Sequence, residues 1–331
     1  MGAVMSRIDR RRFLIAGALG GLALASGVST RAESGRALHR WRGSALGAEA
    51  EIQLLHPDGQ PVGRLVTQAL DEIERLERIF SLYRSDSALA RLNREGCLDR
   101  PPLDLVALLG QAQMLAERSD GAFDPTVQPL YALYARHFAV PGADPSGPSR
   151  AAVEAALRQV DWQAIAVSPE RIVLQRPGMA VTLNGIAQGY IADRVGERLA
   201  AFGVTDALLA LGEIRALGSA RDGRPWRAGI AGCAGGGTAQ AQPVALGTAA
   251  GAYPALATSA AAGTVFGRSG RANHLLDPRT GESAAIGRTV TVAAGSAALA
   301  DGLSTALAIM TDADGRRLAG AFPGIRLFHS A

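Results

Sequence analysis

The sequence contains no lysine. All 34 of its basic residues are arginine, which excludes Schiff-base catalysis, a Walker-A phosphate loop and a lysine general base. Cysteine is almost as scarce. Cys97 and Cys233 are the only two, too few for a disulfide scaffold or a thiolate metal cluster. There is no Ser-His-Asp order and no nucleophile elbow, so nothing points to a serine hydrolase. His39, His56, His137 and His329 are scattered and share no metal-ligand spacing. What remains is a chain of 331 residues, 48% hydrophobic and 19% charged. Those fractions belong to a folded globular protein with enough length for one large or two domain-sized units.

The N-terminal segment reads as an address. Asp9-Arg10-Arg11-Arg12-Phe13-Leu14 precedes an uncharged apolar stretch over residues 15–28. A basic cluster, a short glycine-containing apolar region and small residues downstream are the parts of a bacterial export signal. Paired arginines followed by Phe-Leu resemble the twin-arginine type. Ala23-Leu24-Ala25 and Thr30-Arg31-Ala32 are candidate cleavage sites, so residues 1–32 are assigned to the signal. The alternative is an uncleaved anchor, but the apolar run is shorter than the ~20 residues a span needs. The formal charge of +4 follows from this segment. Residues 1–25 hold Arg7, Arg10, Arg11, Arg12 and Asp9, a net of +3 that leaves +1 after cleavage at Ala25. Cleavage after Ala32 also removes Arg31 and leaves zero. The basic balance therefore gives no reason to expect a nucleic-acid partner.

Beyond the signal, residues 36–55 read as one extended run with Ala50, Ile52 and Leu54 on a common face. Apolar positions from Val62 to Phe80 follow helical spacing, and further helices are expected over 103–116, from Arg150, over 187–202 and over 297–310. Strands are expected over 164–167, 171–175, 180–183, 207–211, 253–259, 264–268, 289–293 and 326–329. A Pro/Gly-rich loop falls at 141–148, and the glycine-rich stretch 232–242 reads as a mobile loop. Strands and helices mix without βαβ alternation, which makes the fold α+β.

Five patterns carry possible chemistry, and each also has a purely structural reading. Asp301 and Thr305 stand four apart on one helix face, offering two hard oxygen ligands suited to Mg²⁺. Alternatively, Asp301 is a first-turn acid and Thr305 a packing residue. His274-Leu275-Leu276-Asp277-Pro278-Arg279-Thr280-Gly281 enters a turn where a histidine and an arginine could meet phosphate, or where Asp277 caps the backbone. Asn184-Gly185-Ile186-Ala187-Gln188-Gly189-Tyr190 joins a strand to a helix with two glycines, letting a ligand approach a helix N-terminus. The remaining polar spots are Ser119-Asp120-Gly121-Ala122-Phe123-Asp124-Pro125-Thr126 and Phe80-Ser81-Leu82-Tyr83-Arg84.

The order of these blocks is specific. With Arg42-Gly43-Ser44-Ala45-Leu46-Gly47, Leu89-Ala90-Arg91-Leu92-Asn93, residues 211–218, Ala257-Thr258-Ser259 and Ala300-Asp301-Gly302-Leu303-Ser304-Thr305-Ala306, they make nine motifs in register. Together they resemble the ApbE family of FAD:protein FMN transferases over about 38–328, so residues 36–331 are taken as one ApbE-like domain. The resemblance implies a duplicated α+β fold of the T-fold type with FAD in a cleft between two lobes. It implies Mg²⁺-dependent transfer of FMN from FAD to a Thr or Ser hydroxyl of another protein, with release of AMP.

In that scheme Asp301, Thr305 and the backbone carbonyl of Ala187 hold Mg²⁺. FAD contacts fall on Leu46, Tyr83, Asp124, Gly185, Ser259, His274 and Asp277. His274 positions or deprotonates the acceptor, and with Asp301 makes up the catalytic pair. Several positions depart from the family pattern: Leu46 stands for its usual Met, Gln188 for its usual Lys, and Leu211-Gly212-Glu213 for its usual Gly-Gly-Asp. The Gly-Ile-Ala-Gln-Gly-Tyr and Leu-Gly-Glu-Ile-Arg variants, with a twin-arginine leader, resemble the NosX branch. That branch implies a periplasmic enzyme that serves nitrous-oxide reductase maturation by flavinylating a membrane protein such as NosR, and meets the membrane only through that partner. A non-catalytic FAD carrier for the same assembly is the alternative. Hydrolysis of FAD to FMN and AMP is a third reading. The presence of both Asp301 and Thr305 favours the transferase over the carrier.

Overall fold

The computed structural model describes residues 35–46, 48–57, 61–230, 242–267 and 271–330. The segment expected to be an export signal and, apart from Gln242, the glycine-rich stretch 232–242 with Cys233 lie outside the described residues. The chain begins with strands β1 (Arg36–Ala45) and β2 (Ala48–Pro57), helices α1 (Val62–Phe80) and α2 (Ala88–Glu95), and strand β3 (Cys97–Asp99). Helices α3 (Leu103–Arg118), α4 (Gln128–Ala139) and α5 (Arg150–Leu157) lead to strands β4 (Ile165–Val167) and β5 (Arg171–Leu174). Helix α6 (Ala187–Ala201) precedes strands β6 (Ala207–Leu211), β7 (Glu213–Leu217), β8 (Trp226–Ile230) and β9 (Gln242–Leu246). Strands β10 (Ala255–Ala260), β11 (Val265–Phe266), β12 (Ala272–Asn273) and β13 (Thr289–Ala294) come next. They are followed by helices α7 (Ala297–Ile309) and α8 (Asp312–Gly320) and strand β14 (Arg326–Ser330).

Seven strands form the central sheet in the order β1-β2-β6-β7-β10-β13-β14. Every neighbouring pair in it is antiparallel. No crossover helix between parallel strands is needed, so the helices gather on one face and the fold is α+β, as expected. Successive strand residues point to opposite faces. Leu209 and Leu211 join Ile52, Leu54, Val290 and Val292 in the main core, with α1, α6 and α7 above them. Leu208 faces the other way, with Ile214, Leu256 and Ala293, and is covered by Trp226, Val244 and Leu246 of the β8–β9 hairpin. Trp226 seats that hairpin by donating its ring N–H to the Leu217 carbonyl at 2.9 Å. A pair of adjacent antiparallel strands followed by a helix on the first face occurs twice, as β1–β2–α1 and as β10–β13–α7.

Two expectations are corrected. The single extended run over 36–55 is a hairpin, with Ala45 opposite Ala48. Leu46 turns it with φ +55°, a left-handed conformation that costs a non-glycine residue roughly 1–2 kcal/mol. Its side chain is nevertheless buried in the main core. Residues 180–183 pair with no strand. The Asn93 amide instead accepts from the Val181 N–H at 2.7 Å and donates to the Val181 carbonyl at 2.8 Å. Thr182 donates its N–H to the Pro125 carbonyl. A side chain and a loop thus satisfy the backbone that a sheet neighbour otherwise would.

Candidate active site

One cleft gathers most of the candidate residues. It encloses about 840 Å³, including the part open to solvent, and its lining includes Phe123, Asp124, Gly185, Gln188, Glu213, Ser259, His274, Asp301 and Thr305. The helices that frame it lock each other. Asp193 of α6 accepts from the Ala297 and Ala298 N–H groups at the start of α7, both at 2.9 Å. Asp301 of α7 returns the contact, accepting from the Gly189 N–H in the first turn of α6 at 3.0 Å. The approach is close. A Cβ on Gly189 would collide with the Ala297 carbonyl, so only glycine allows the two helices to meet there.

Asp301 is almost fully buried. Burial, and then the neighbouring Asp193 carboxylate, raise its pKa against the opposing Gly189 hydrogen bond. Glu213 lies in the same cleft, buried, and accepts from the Thr258 N–H at 3.2 Å. Burial and the Asp301 carboxylate hold it well above the usual glutamate range. Thr305 Oγ1 donates to the Gly185 carbonyl at 3.4 Å and lies 3.3 Å from Ser259 Oγ. Asp301, Thr305, Gly185 and Ser259 therefore converge, and Ala187 opens α6 two residues before Gly189.

The other candidates are placed as follows. His274 lines the cleft, and its Nδ1 lies 3.1 Å from the Thr264 carbonyl. A carbonyl only accepts, so Nδ1 carries the proton and the neutral ring's lone pair is on Nε2. Asp124 also lines the cleft, but both of its oxygens hold the loop. Oδ1 accepts from the Thr126 N–H and hydroxyl at 2.7 and 2.6 Å, and Oδ2 accepts from the Trp162 N–H at 3.3 Å. Burial still lifts Asp124 to about 6.

Ala187 and three further candidates lie outside the lining. Tyr83 is half-exposed and meets the cleft through a side-chain hydrogen bond with Asn184. Leu46 packs in the core. Asp277 caps its own turn, accepting from the Arg279 N–H at 2.9 Å and pairing with the Arg279 guanidinium at 2.8 Å.

Glu213 lines the cleft, but in the sequence it stands out only within Leu211-Gly212-Glu213, the departure from the family's usual Gly-Gly-Asp, and not as a candidate site residue. The available signal is an acid directly after Gly212, whose φ of +96° turns β6 into β7.

Among the described residues lining the cleft, Asp124, Glu213 and Asp301 are carboxylates and none is arginine. A phosphate ligand thus meets no permanent side-chain cation there, and a bound metal ion would fill that role. The donors fit Mg²⁺. No three His, Cys, Asp or Glu side chains converge as a cage among the described residues, and Mg²⁺ is ordinarily held by one or two carboxylates with substrate phosphate and water. No described helix is long and apolar enough to cross a membrane.

This fold is shared with proteins named as flavin transferases. The model of the ApbE family matches residues 46–328. A Treponema pallidum protein named FAD:protein FMN transferase is 33% identical over 282 residues, covering 78% of this chain and 76% of its own. The structure of the flavin transferase ApbE from Vibrio cholerae superposes with a TM-score of 0.74 at 26% identity, over 89% of this chain and 98% of that one. The ApbE protein of Thermotoga maritima gives 0.75 at 26% identity, over 88% and 94%. The class is that of a transferase enzyme. The chain belongs to the ApbE family.

Proposed function

We propose that this enzyme transfers FMN from FAD to a Thr or Ser hydroxyl of a partner protein, in a Mg²⁺-dependent reaction in the periplasm. The observation that carries the reading is the buried Asp301 carboxylate beside the Thr305 hydroxyl, in a cleft whose described lining residues include no arginine. Asp301, Thr305 and the Ala187 carbonyl would hold Mg²⁺, which supplies charge neutralisation at the pyrophosphate when bound. The chain's own residues do the rest. His274 Nε2 takes the proton of the acceptor hydroxyl. The acceptor oxygen bonds to the FMN phosphorus as the pyrophosphate P–O bond breaks and AMP leaves. Apolar walls from Phe123, Leu275 and Leu276 keep water from competing as acceptor.

The twin-arginine leader supports export of the folded enzyme. The NosX-like variants around Gln188 and Glu213 support a role in nitrous-oxide reductase maturation, with a periplasmic domain of NosR as the acceptor. Two comparisons test the reading. Chelation of divalent metal by EDTA abolishes covalent labelling of the acceptor, and added Mg²⁺ restores it. Asp301→Ala abolishes labelling while the variant keeps its cooperative melt; full activity in that variant would remove Asp301 from the site.

A further inference from the structure

Behind the cleft, the hydroxyls of Ser304, Ser259 and Thr305 form a chain. Ser304 is fully buried and lies outside the cleft lining, whereas Ser259 and Thr305 line it. A serine hydroxyl has one proton and two lone pairs. Ser304 gives its proton to the Asp301 backbone carbonyl at 2.9 Å. With the Ser304 proton on that carbonyl, the 2.7 Å contact with Ser259 Oγ uses the Ser259 proton. With that proton spent, only Thr305 can donate across the 3.3 Å gap to Ser259. The other acceptor within reach of Thr305, the Gly185 carbonyl at 3.4 Å, is also protein. On either course both cleft hydroxyls turn their protons inward. They present only lone pairs beside the Asp301 carboxylate.

We propose that Ser304 is a positioning residue for the cation site. By accepting the Ser259 proton it makes Ser259, like Thr305, an oxygen donor toward a divalent cation or the water that cation carries. Ser259 then faces the metal side of the ligand and donates no hydrogen bond to phosphate. A hydroxyl free to rotate would spend part of its time aiming a proton at the cation, and Ser304 removes that freedom.

This inference rests on the Mg²⁺ reading above, and its test separates the two. Mn²⁺ binding to the FAD-free enzyme is followed by the electron paramagnetic resonance signal of free Mn²⁺, with Mg²⁺ as competitor. The wild type binds Mn²⁺, and Mg²⁺ displaces it. Ser259→Ala and Ser304→Ala each weaken binding about ten-fold or more, the range over which outer-shell partners act. The double variant binds no more weakly than Ser259→Ala alone, because Ser304 acts through Ser259. Ser304→Cys fills the same space with a weak acceptor and gives the same loss if Ser304→Ala fails to fold. Unchanged affinity in a folded Ser304 variant, or additive losses in the double variant, would overturn the positioning role and leave the Mg²⁺ reading standing. A wild type that binds neither ion would overturn both.

Discussion

Asp124 shows how a cleft residue can serve the loop before it serves a ligand. Both of its oxygens are occupied by Thr126 and Trp162, yet burial lifts it to about 6 from the ordinary 3.8. The folded state therefore keeps a proton that the unfolded chain has already released between about pH 4 and 6. Stability falls as pH rises through that window and levels off above it. The contribution lost is at most about 3 kcal/mol. Asp124→Asn cannot ionise, so the difference in melting temperature between it and the wild type should vary over pH 4–6 and become constant above about 6.5. A constant difference throughout would mean that Asp124 is ionised in the folded protein at all these values.

At the same scale, Gln188 stands where the resemblance implies lysine, and its side chain lies against Gly212 beside Glu213. Gln188→Lys would place an ammonium near two buried carboxylates that repel each other. Its FAD-free form should melt several degrees higher than the wild type; a lower melting temperature would show that the added charge is not paired there.

At the scale of elements, α6 and α7 are joined by two aspartates that cross over, Asp193 capping α7 and Asp301 reaching α6. Asp193 is also paired with Arg215 of β7 at 3.3 Å. Removing its carboxylate leaves two helix N–H groups and a guanidinium without their partner. Asp193→Ala should cost about 2 kcal/mol or more, read as a melting temperature lowered by roughly 4 °C or more. It should also weaken Mn²⁺ binding, because α7 carries both Asp301 and Thr305. A variant that loses stability but binds Mn²⁺ normally would confine Asp193 to folding.

Legibility varied between these elements for physical reasons. Helix α1 is plain in the sequence because Leu65, Ala69, Ile73, Leu76 and Phe80 make one buried stripe. Helix α8 buries only Gly315 and Leu318 and α4 only Leu130, so spacing gives little sign of either. The 180–183 segment looks like a strand because its apolar residues are buried, and only the distant Asn93 reveals how its backbone is satisfied.

At the scale of the whole molecule, one antiparallel sheet is closed by helices on one face and by the β8–β9 hairpin on the other. The α+β class follows from the mixed, non-alternating elements. The strand order does not, because the β7–β10 contact rests on two residue pairs some forty positions apart, Arg215 with Ala255 and Ile214 with Leu256. The Asp301–Thr305 pair was legible from helical spacing. Its enclosure by Glu213, Ser259 and Gln188 required the fold. Before the fold there is the leader. If the paired arginines direct export, replacing Arg10 and Arg11 by lysine in the full-length chain should leave the protein in the cytoplasm. Unchanged periplasmic recovery would assign export to another feature.

The central claim is transfer of FMN from FAD to protein, and the most direct measurement counts both products of one reaction. The signal-free enzyme is incubated with FAD, Mg²⁺ and a purified acceptor domain already known to be flavinylated by another transferase. AMP is quantified by chromatography, and covalent flavin by in-gel fluorescence and intact mass. Equal amounts of AMP and acceptor-bound FMN, both absent with Asp301→Ala, are the predicted result. Tight FAD binding with neither product, or AMP released with free FMN and an unmodified acceptor, would contradict it.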